Sequence, residues 1–130
     1  MYVLDTNSVL YLLKGTGRVG ERLLATPRTE VAIPAVVLYE LEVGTRRSAS
    51  PKRRRSQLRD LVGPMRVLPF DKPEANVAAR IRVELERAGE PIGPMDTLIA
   101  ATALRHGATL VTHNVDEFER VNGLAIEDWY

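Results

Sequence analysis

The sequence predicts an α/β fold of three layers, in which a central parallel sheet lies between helices on both faces. Short apolar runs alternate with longer segments of helical periodicity, and these runs are apolar throughout, as in strands covered on both sides. Their order is β-α-α-β-α-α-β-α-α-β, which leaves helical crossovers between parallel strands. The chain has 130 residues, 45% hydrophobic and 27% charged. We therefore expect one domain over residues 1–130.

The first half of the chain begins with a strand and then carries clear turn and helix signals. Asp5 and the polar residues after it offer caps for a helix over Val9–Leu13. Pro34 can begin a helix that runs to about Arg47. The segment Ser48–Pro51 has the composition of a turn between two helices and not of a domain boundary.

The second half repeats the alternation. Asp71 and Glu74 have the spacing of a capping box that opens a helix to about Ala88. Pro94 suits the first residue of another helix, and Gly107 lies just past its end. The four predicted strands are Val3-Leu4, Val31–Ile33, Val67-Leu68 and Thr109–Thr112.

Composition excludes several classes of site and location. The chain has no cysteine, which excludes disulfides, thiolate metal sites and a cysteine nucleophile. No apolar run is long enough for a membrane span, and the N-terminal residues lack the pattern of a signal peptide. We therefore expect a cytoplasmic protein that does not bind membranes.

The net charge is only +1, but seven of the 18 lysines and arginines lie within one segment of fourteen residues, Arg46–Arg59. A local basic patch in an otherwise acidic chain can attract a polyanion. Three interpretations remain open: a solvated helical face, a phosphate-binding track, or a surface for a protein partner. The candidate residues are Arg46, Arg47, Arg53 and Arg54.

Two polar residues follow predicted strands. Asp5 ends the first strand, and Asn114 follows the fourth strand after His113. Each also fits a helix cap, and Asn114 with Glu117 has capping-box spacing. Because ligands of open parallel sheets bind outside the carboxyl ends of the strands, both positions are also candidates for a site.

Two acids lie in helices that are otherwise apolar. On a helical wheel, Glu40 falls at the centre of the apolar face of its helix, where a carboxylate needs a cationic partner or a metal ion. Asp96 lies in the first turn of a helix that continues with small and apolar residues. The helix dipole explains an acid there, but a buried helix would also place Asp96 in the interior.

Together these residues predict oxygen ligands that converge at one edge of the sheet. Carboxylate and amide oxygens, without cysteine or paired histidines, suit a hard cation such as Mg²⁺ or Mn²⁺. In the absence of the ion, clustered carboxylates repel each other, and some of their pKa values should rise.

The same residues resemble the motifs of PIN domains over essentially the whole chain. The opening strand with Asp5-Thr6-Asn7 is similar to the first motif of this family, and the ending is similar to the VapC toxins within it. The other matching segments are Leu38–Leu41 with Gly44, Ile92–Asp96 with Ile99–Ala101, Leu110–Asn114 with Glu117-Phe118, and Gly123-Leu124 with Glu127–Trp129.

The resemblance implies a metal-dependent endoribonuclease, the toxin of a VapBC toxin–antitoxin pair. It implies that Asp5, Glu40 and Asp96 bind Mg²⁺ or Mn²⁺, and that Asn114 is a fourth catalytic residue at a position where many PIN domains have an acid. Asp116 or Glu117 would supply the missing charge, and the supporting hydroxyls would be those of Thr6 and Thr112. It also implies a homodimer, a VapB-type antitoxin as partner, and structured RNA such as tRNA as substrate.

Other functions have less support in the residues. A two-histidine ribonuclease would have to use His106 and His113, of which the first fits a helix end and the second a solvated or RNA-facing position. An aspartate-nucleophile phosphatase would need a second aspartate where the chain has Asn7. A PIN-like module that binds RNA or a partner without cutting it is the remaining alternative, and it rests on the neutral Asn114.

Overall fold

The computed structural model describes residues 1–130 and contains a five-stranded, fully parallel sheet flanked by seven helices. The strands are β1 (Tyr2–Leu4), β2 (Val31–Pro34), β3 (Arg66–Leu68), β4 (Thr109–Val111) and β5 (Ala125–Glu127). The helices are α1 (Thr6–Lys14), α2 (Val19–Leu24), α3 (Ala35–Arg47), α4 (Pro51–Val62), α5 (Lys72–Arg87), α6 (Pro94–Arg105) and α7 (Val115–Phe118). The predicted α/β/α architecture is confirmed.

The strand order is β3-β2-β1-β4-β5, with β1 at the centre. The chain builds outward from β1 to β3, then returns to place β4 on the other side of β1. The direction of winding therefore reverses between β1 and β4. In such sheets this switch point opens a crevice at the carboxyl ends of the two central strands.

The core is built on the central strands β1, β2 and β4, whose apolar residues are almost fully covered, as predicted; the expectation fails at the edge strand β3, where Val67 is 41% exposed because no further strand lies beyond it. Val3, Leu4, Ile33 and Leu110 are each 0% exposed, and the inner helix α6 adds Ile99 at 1%. Burial of aliphatic side chains of this size stabilises the fold by about 1.5–3 kcal/mol each. The sheet edge that carries the polar residues thus rests on a tightly packed centre.

Helix starts and stops follow local chemistry. Asp5 caps α1 by accepting the Ser8 backbone N–H at 2.8 Å, so this helix begins three residues earlier than the pattern Val9–Leu13 predicts. Pro94 is the first residue of α6, and Gly107 follows its end with φ +61°.

The sequence prediction was wrong about the end of the chain, where it placed no strand. β5 is only three residues long and pairs in parallel with β4, with Leu110 opposite Ile126. Ala125–Glu127 includes an acid and has no fully buried residue, so it lacks the apolar run that marks the central strands. It is held by the β4 ladder and by Trp129, which is 2% exposed and packs against Tyr2 at 5.1 Å between ring centroids. No helix combines the length and the apolarity that crossing a bilayer requires.

Candidate active site

Asp5 lies at the switch point, directly after β1. Its backbone N–H continues the ladder to the Val111 carbonyl at 3.2 Å, which places its side chain beside the end of β4. The Ser8 N–H and the Thr112 hydroxyl donate to its carboxylate, and the side chain is 4% exposed. Burial raises the pKa of Asp5 above its usual value, although these donors oppose the rise. Asp5 is therefore both a helix cap and a buried acid of the cleft.

Glu40 reaches the same region from α3. Its Oε1 accepts the Thr6 hydroxyl at 2.6 Å, which joins α3 to the first turn of α1. Glu40 is half-buried, and Gly44, one turn later, is exposed. The prediction that Glu40 lies at the centre of the apolar face was therefore wrong in detail, since it lies at the edge of the buried stripe. From that edge it can face both the protein and a ligand.

Asp96 is the most strongly perturbed acid of the group. Burial, together with the charges of Glu117, Asp5 and Glu40, raises its pKa to about 6. The side chain of Glu117 also lies close enough to Asp96 to add a smaller contribution of its own to this rise. The first turn of α6 therefore holds its acid within electrostatic reach of three other carboxylates.

Asn114 and Glu117 form the fourth part of the cluster. The Asn114 side-chain amide donates to Glu117 Oε2, and the Asn114 backbone N–H donates to the Thr112 hydroxyl at 3.0 Å. Asn114 is the N-cap residue of α7, but its side chain makes no capping bond to the helix backbone. The expected capping box is thus replaced by a side-chain pair, which holds Glu117 beside Asp96.

Asp116 stands apart from the cluster. It is exposed on α7 and makes no hydrogen bond or ion pair with the other acids. Of the two residues that the sequence offered as a source of the extra charge, Glu117 is therefore the one that the fold brings to Asp96.

The donor set suits a hard divalent cation, but the acids do not form a closed cage. No group of three acidic or histidine side chains is arranged closely enough to chelate one ion by itself. Mg²⁺ retains several waters and commonly uses only one or two carboxylates, so an open cluster is compatible with it. Burial and the repulsion of neighbouring carboxylates raise the pKa of Asp96, and a bound cation would offset both by stabilising the ionised carboxylate.

Two residues beside Asp5 were not singled out by sequence reasoning. Ser8 lies within a capping motif, and its hydroxyl donates to the Val111 carbonyl at 3.1 Å, which ties α1 to the end of β4. Asp128 follows β5, and its charge adds to the rise in the pKa of Asp5. Asp128 could not be placed from the sequence because β5 itself was not predicted.

A cavity of about 240 Å³ connects the cluster to the basic segment. Its lining includes Thr6, Glu40, Lys14 and Arg54. Arg54 is half-buried there, whereas Arg53 is exposed. Arg46, Arg47, Arg53 and Arg54 form no ion pairs, so their charges are available to an anionic ligand.

The two histidines lie in different settings. His106 follows α6 and lies 3.4 Å from Glu74, measured between Nε2 and Oε2, away from the acid cluster. His113 lies next to Thr112 and pairs with Asp128, Nδ1 to Oδ2, at 3.0 Å. They do not form a shared acid–base pair, so a two-histidine ribonuclease finds no support in this arrangement.

Comparison with known proteins finds relatives that are similar in sequence and in fold. Residues 2–124 match the model of the PIN domain family. The chain is 36% identical to the tRNA(fMet)-specific endonuclease VapC of Shigella flexneri over 98% of this chain and 97% of the relative. It is 34% identical to Ribonuclease VapC2 of Rickettsia felis, over 99% and 98%. The crystal structure of VapBC2 from Rickettsia felis bound to a promoter DNA fragment superimposes with a TM-score of 0.93 at 32% identity, over 99% and 98% of the two chains.

Proposed function

This chain belongs to the PIN domain family, and from that premise we propose that it is a divalent-metal-dependent endoribonuclease, the toxin of a VapBC-type toxin–antitoxin pair. Relatives of near-equal length are ribonucleases, and a solved relative is a VapBC complex. A VapB-type antitoxin is accordingly its partner. The substrate is RNA, and a structured RNA such as tRNA is the first candidate, since one relative is specific for tRNA(fMet).

One observation supports the metal dependence above the others. Asp96 has a pKa raised to about 6 because burial and the charges of Glu117, Asp5 and Glu40 act on it together. The carboxylates at the switch point of the sheet repel one another, and their combined negative charge attracts a cation. Asp5, Glu40 and Asp96 are the proposed ligands, and Mg²⁺ or Mn²⁺ is the proposed ion.

When bound, the ion neutralises charge on the phosphate and makes a water molecule nucleophilic near neutral pH. The residues of the chain hold the arrangement in which this can happen. Ser8 and Thr112 fix Asp5 by donating hydrogen bonds, and Thr6 fixes Glu40 in the same way. A pre-oriented carboxylate loses less entropy on binding its ligand than a mobile one.

Glu117 takes the role of the fourth acid, and Asn114 is a positioning residue for it. The amide of Asn114 donates to Glu117, whose charge in turn acts on Asp96. This assignment places the missing negative charge three residues after the neutral Asn114. It also reduces the support for a non-cleaving RNA-binding module, which rested on that neutral residue.

The test is cleavage of bulk tRNA and of a hairpin RNA by the purified chain with Mg²⁺, with Mn²⁺ and with EDTA. We expect cleavage only with a divalent ion, and a loss of at least about a hundredfold in Asp96→Asn and Glu40→Gln, as for removal of groups that stabilise transition-state charge. Glu90→Gln is the control, because it neutralises an exposed acid in the loop between α5 and α6. Equal cleavage in EDTA would overturn the metal dependence, and a folded wild type that cleaves neither RNA would favour the binding module.

A further inference from the structure

Three aromatic rings form a cluster that the proposed chemistry does not use. The His113 and Tyr130 rings are stacked, with centroids 4.1 Å apart and an interplanar angle of 22°. Tyr11 meets both rings edge-on, at 4.9 Å from Tyr130 and 6.0 Å from His113. The His113 side chain is 46% exposed and Tyr130 is 43% exposed, so the stacked pair keeps a large open surface.

The stacked pair is held by specific contacts. Both Asp128 oxygens lie within 3.2 Å of His113 Nδ1, and Asp128 Oδ1 also accepts the Tyr130 backbone N–H at 3.0 Å. On the other side, Gly17 approaches so closely that a Cβ there would lie 2.9 Å from the Tyr130 carbonyl carbon. An exposed ring held by this many contacts loses little freedom when another planar group stacks on it.

The cluster adjoins the acids of the candidate active site. His113 directly follows Thr112, whose hydroxyl donates to Asp5, and it precedes Asn114, which positions Glu117. Asp128 holds His113 and also acts electrostatically on Asp5. The stacked rings therefore lie next to the residues that hold Asp5 and Glu117 at the end of β4.

We propose that the stacked pair His113–Tyr130 binds an unpaired nucleobase of the substrate RNA, next to the phosphodiester that is cut. Tyrosine and histidine rings are common stacking surfaces for the splayed bases of single-stranded loops. Arg18 is close enough to Asp128 to contribute to the lowering of its pKa, and its positive charge can bind a phosphate next to the stacked base. The inference deepens the proposed ribonuclease function and rests on it. The stacked pair would make the site prefer single-stranded loops over duplex RNA, because the bases of a duplex are paired and cannot stack on the protein.

The experiment measures RNA affinity in an Asp96→Asn background, so that binding is separated from cleavage. The probes are a hairpin RNA with an unpaired loop of mixed sequence and the same hairpin with an abasic nucleotide at each loop position in turn. We expect one abasic position to lower affinity about tenfold, the scale of base–aromatic stacking. Tyr130→Ala or His113→Ala should cause a similar loss on the intact hairpin, with no further loss on the abasic one.

Control variants separate stacking from folding. Tyr130→Phe keeps the ring and should keep the coupling to that abasic position. Val83→Ala removes an apolar side chain from α5 that is 43% exposed, as Tyr130 is. This variant should change neither the affinity for the intact hairpin nor the affinity for the abasic hairpins. Thermal unfolding verifies that each variant is folded. If Tyr130→Ala is unfolded, the binding experiment is carried out with His113→Ala instead.

The outcomes distinguish this inference from the function on which it rests. If the wild type neither cleaves nor binds RNA, the proposed function fails, and the stacking surface fails with it. If RNA is cleaved and bound but no abasic position is coupled to His113 or Tyr130, only the stacking surface is overturned. Coupling that is equally strong at every loop position would also overturn it, because a single stacked base predicts a single position.

Discussion

At the scale of single residues, neighbours decide what each acid of the cluster can do. Asp5 accepts bonds from Ser8 and Thr112, which lower its pKa against the effect of burial. Asp96 is half-buried, lacks such donors and lies near other carboxylates, so burial and then their charges raise its pKa to about 6. Two aspartates in one site therefore differ in how readily they hold a proton, as expected when environment rather than residue type sets the pKa.

The raised pKa of Asp96 predicts that Asp96→Asn stabilises the metal-free protein. At pH 7 the wild type must keep this carboxylate ionised against its environment, and the neutral amide removes that cost. We expect a gain on the order of 1–2 kcal/mol in the free energy of unfolding, allowing for screening at a half-buried group. Urea unfolding in EDTA measures it, and a destabilised variant would contradict the assignment.

The sign of the pH dependence follows from the raised pKa. The folded state binds the proton more tightly than the unfolded chain, so wild-type stability from this group is complete below about pH 4 and is lost as pH rises towards about 6. The advantage of Asp96→Asn should therefore grow between these values and stay constant above them. Unfolding curves at several pH values check this, and an advantage that shrinks as pH rises would contradict it.

Gly17 offers a second residue-scale prediction. Gly17 and Gly89 both have positive φ, +65° and +72°, but only at Gly17 would a Cβ meet another residue, at 2.9 Å from Tyr130. Gly89→Ala should cost about 1 kcal/mol for the backbone conformation alone, whereas Gly17→Ala should cost more. Thermal or urea unfolding of the two variants compares them, and equal losses would show that Tyr130 is free to move away.

At the scale of elements, short local motifs hold α5 and β5 in place. Glu74 is 3% exposed, accepts the Asp71 backbone N–H at 2.7 Å and lies 3.4 Å from His106, so it connects the start of α5 to the end of α6. Arg22 joins Glu127 at 2.7 Å and lies over the Trp129 ring at 5.3 Å, which fastens β5 to α2. These contacts explain why a three-residue strand persists at the sheet edge.

Replacing Glu74 should be costly. The Asp71 N–H lowers the pKa of Glu74, so the stabilisation is present above the unfolded pKa near 4.5 and is lost as pH falls through the lower folded value. Glu74→Ala should lower stability by about 1 kcal/mol or more at pH 7, and by less in acid. Glu84→Ala, which breaks an exposed pair with Arg80, is the control and should change stability by no more than about 0.5 kcal/mol. Equal effects of the two variants on urea unfolding would contradict the role of Glu74.

At the scale of the whole molecule, the acids and the basic segment lie on one continuous surface. The cavity lined by Glu40 and Arg54 extends from the first turn of α1, beside the switch point, to α4. The acids would hold the metal ion, and the basic segment beside them would attract the phosphates of an RNA that has to lie next to that ion.

This arrangement predicts that the basic segment contributes to RNA binding through phosphates. Arg47→Gln and Arg53→Gln together should weaken binding of the hairpin RNA to the Asp96→Asn protein across sequences. The slope of log affinity against log salt should fall by about 0.7 for each lost phosphate contact. Affinity measured over a salt series checks this. An unchanged slope with weakened antitoxin binding would instead identify the segment as an antitoxin-docking surface.

The sequence by itself determined four of the five strands, most of the helices, and three candidate acids, Asp5, Glu40 and Asp96. Buried strands are recognisable because they must be apolar. Helix caps such as Asp5 and Glu74 are recognisable because they act over three or four residues, within a short stretch of sequence. Asp5, Glu40 and Asp96 were identifiable because an acid at a strand end or in an apolar helix needs compensation.

Only the tertiary structure decided which side chains meet. Glu117 rather than Asp116 joins Asp96, Glu40 lies at the edge of its apolar stripe, and His113 stacks on Tyr130. The positions of Glu117 and of the His113–Tyr130 pair depend on α7 and on the segment after β5. The strand β5 is held by its pairing with β4 and by Arg22, which lies over the Trp129 ring. Contacts between residues far apart in the chain depend on how elements pack, and packing leaves no local pattern in the sequence.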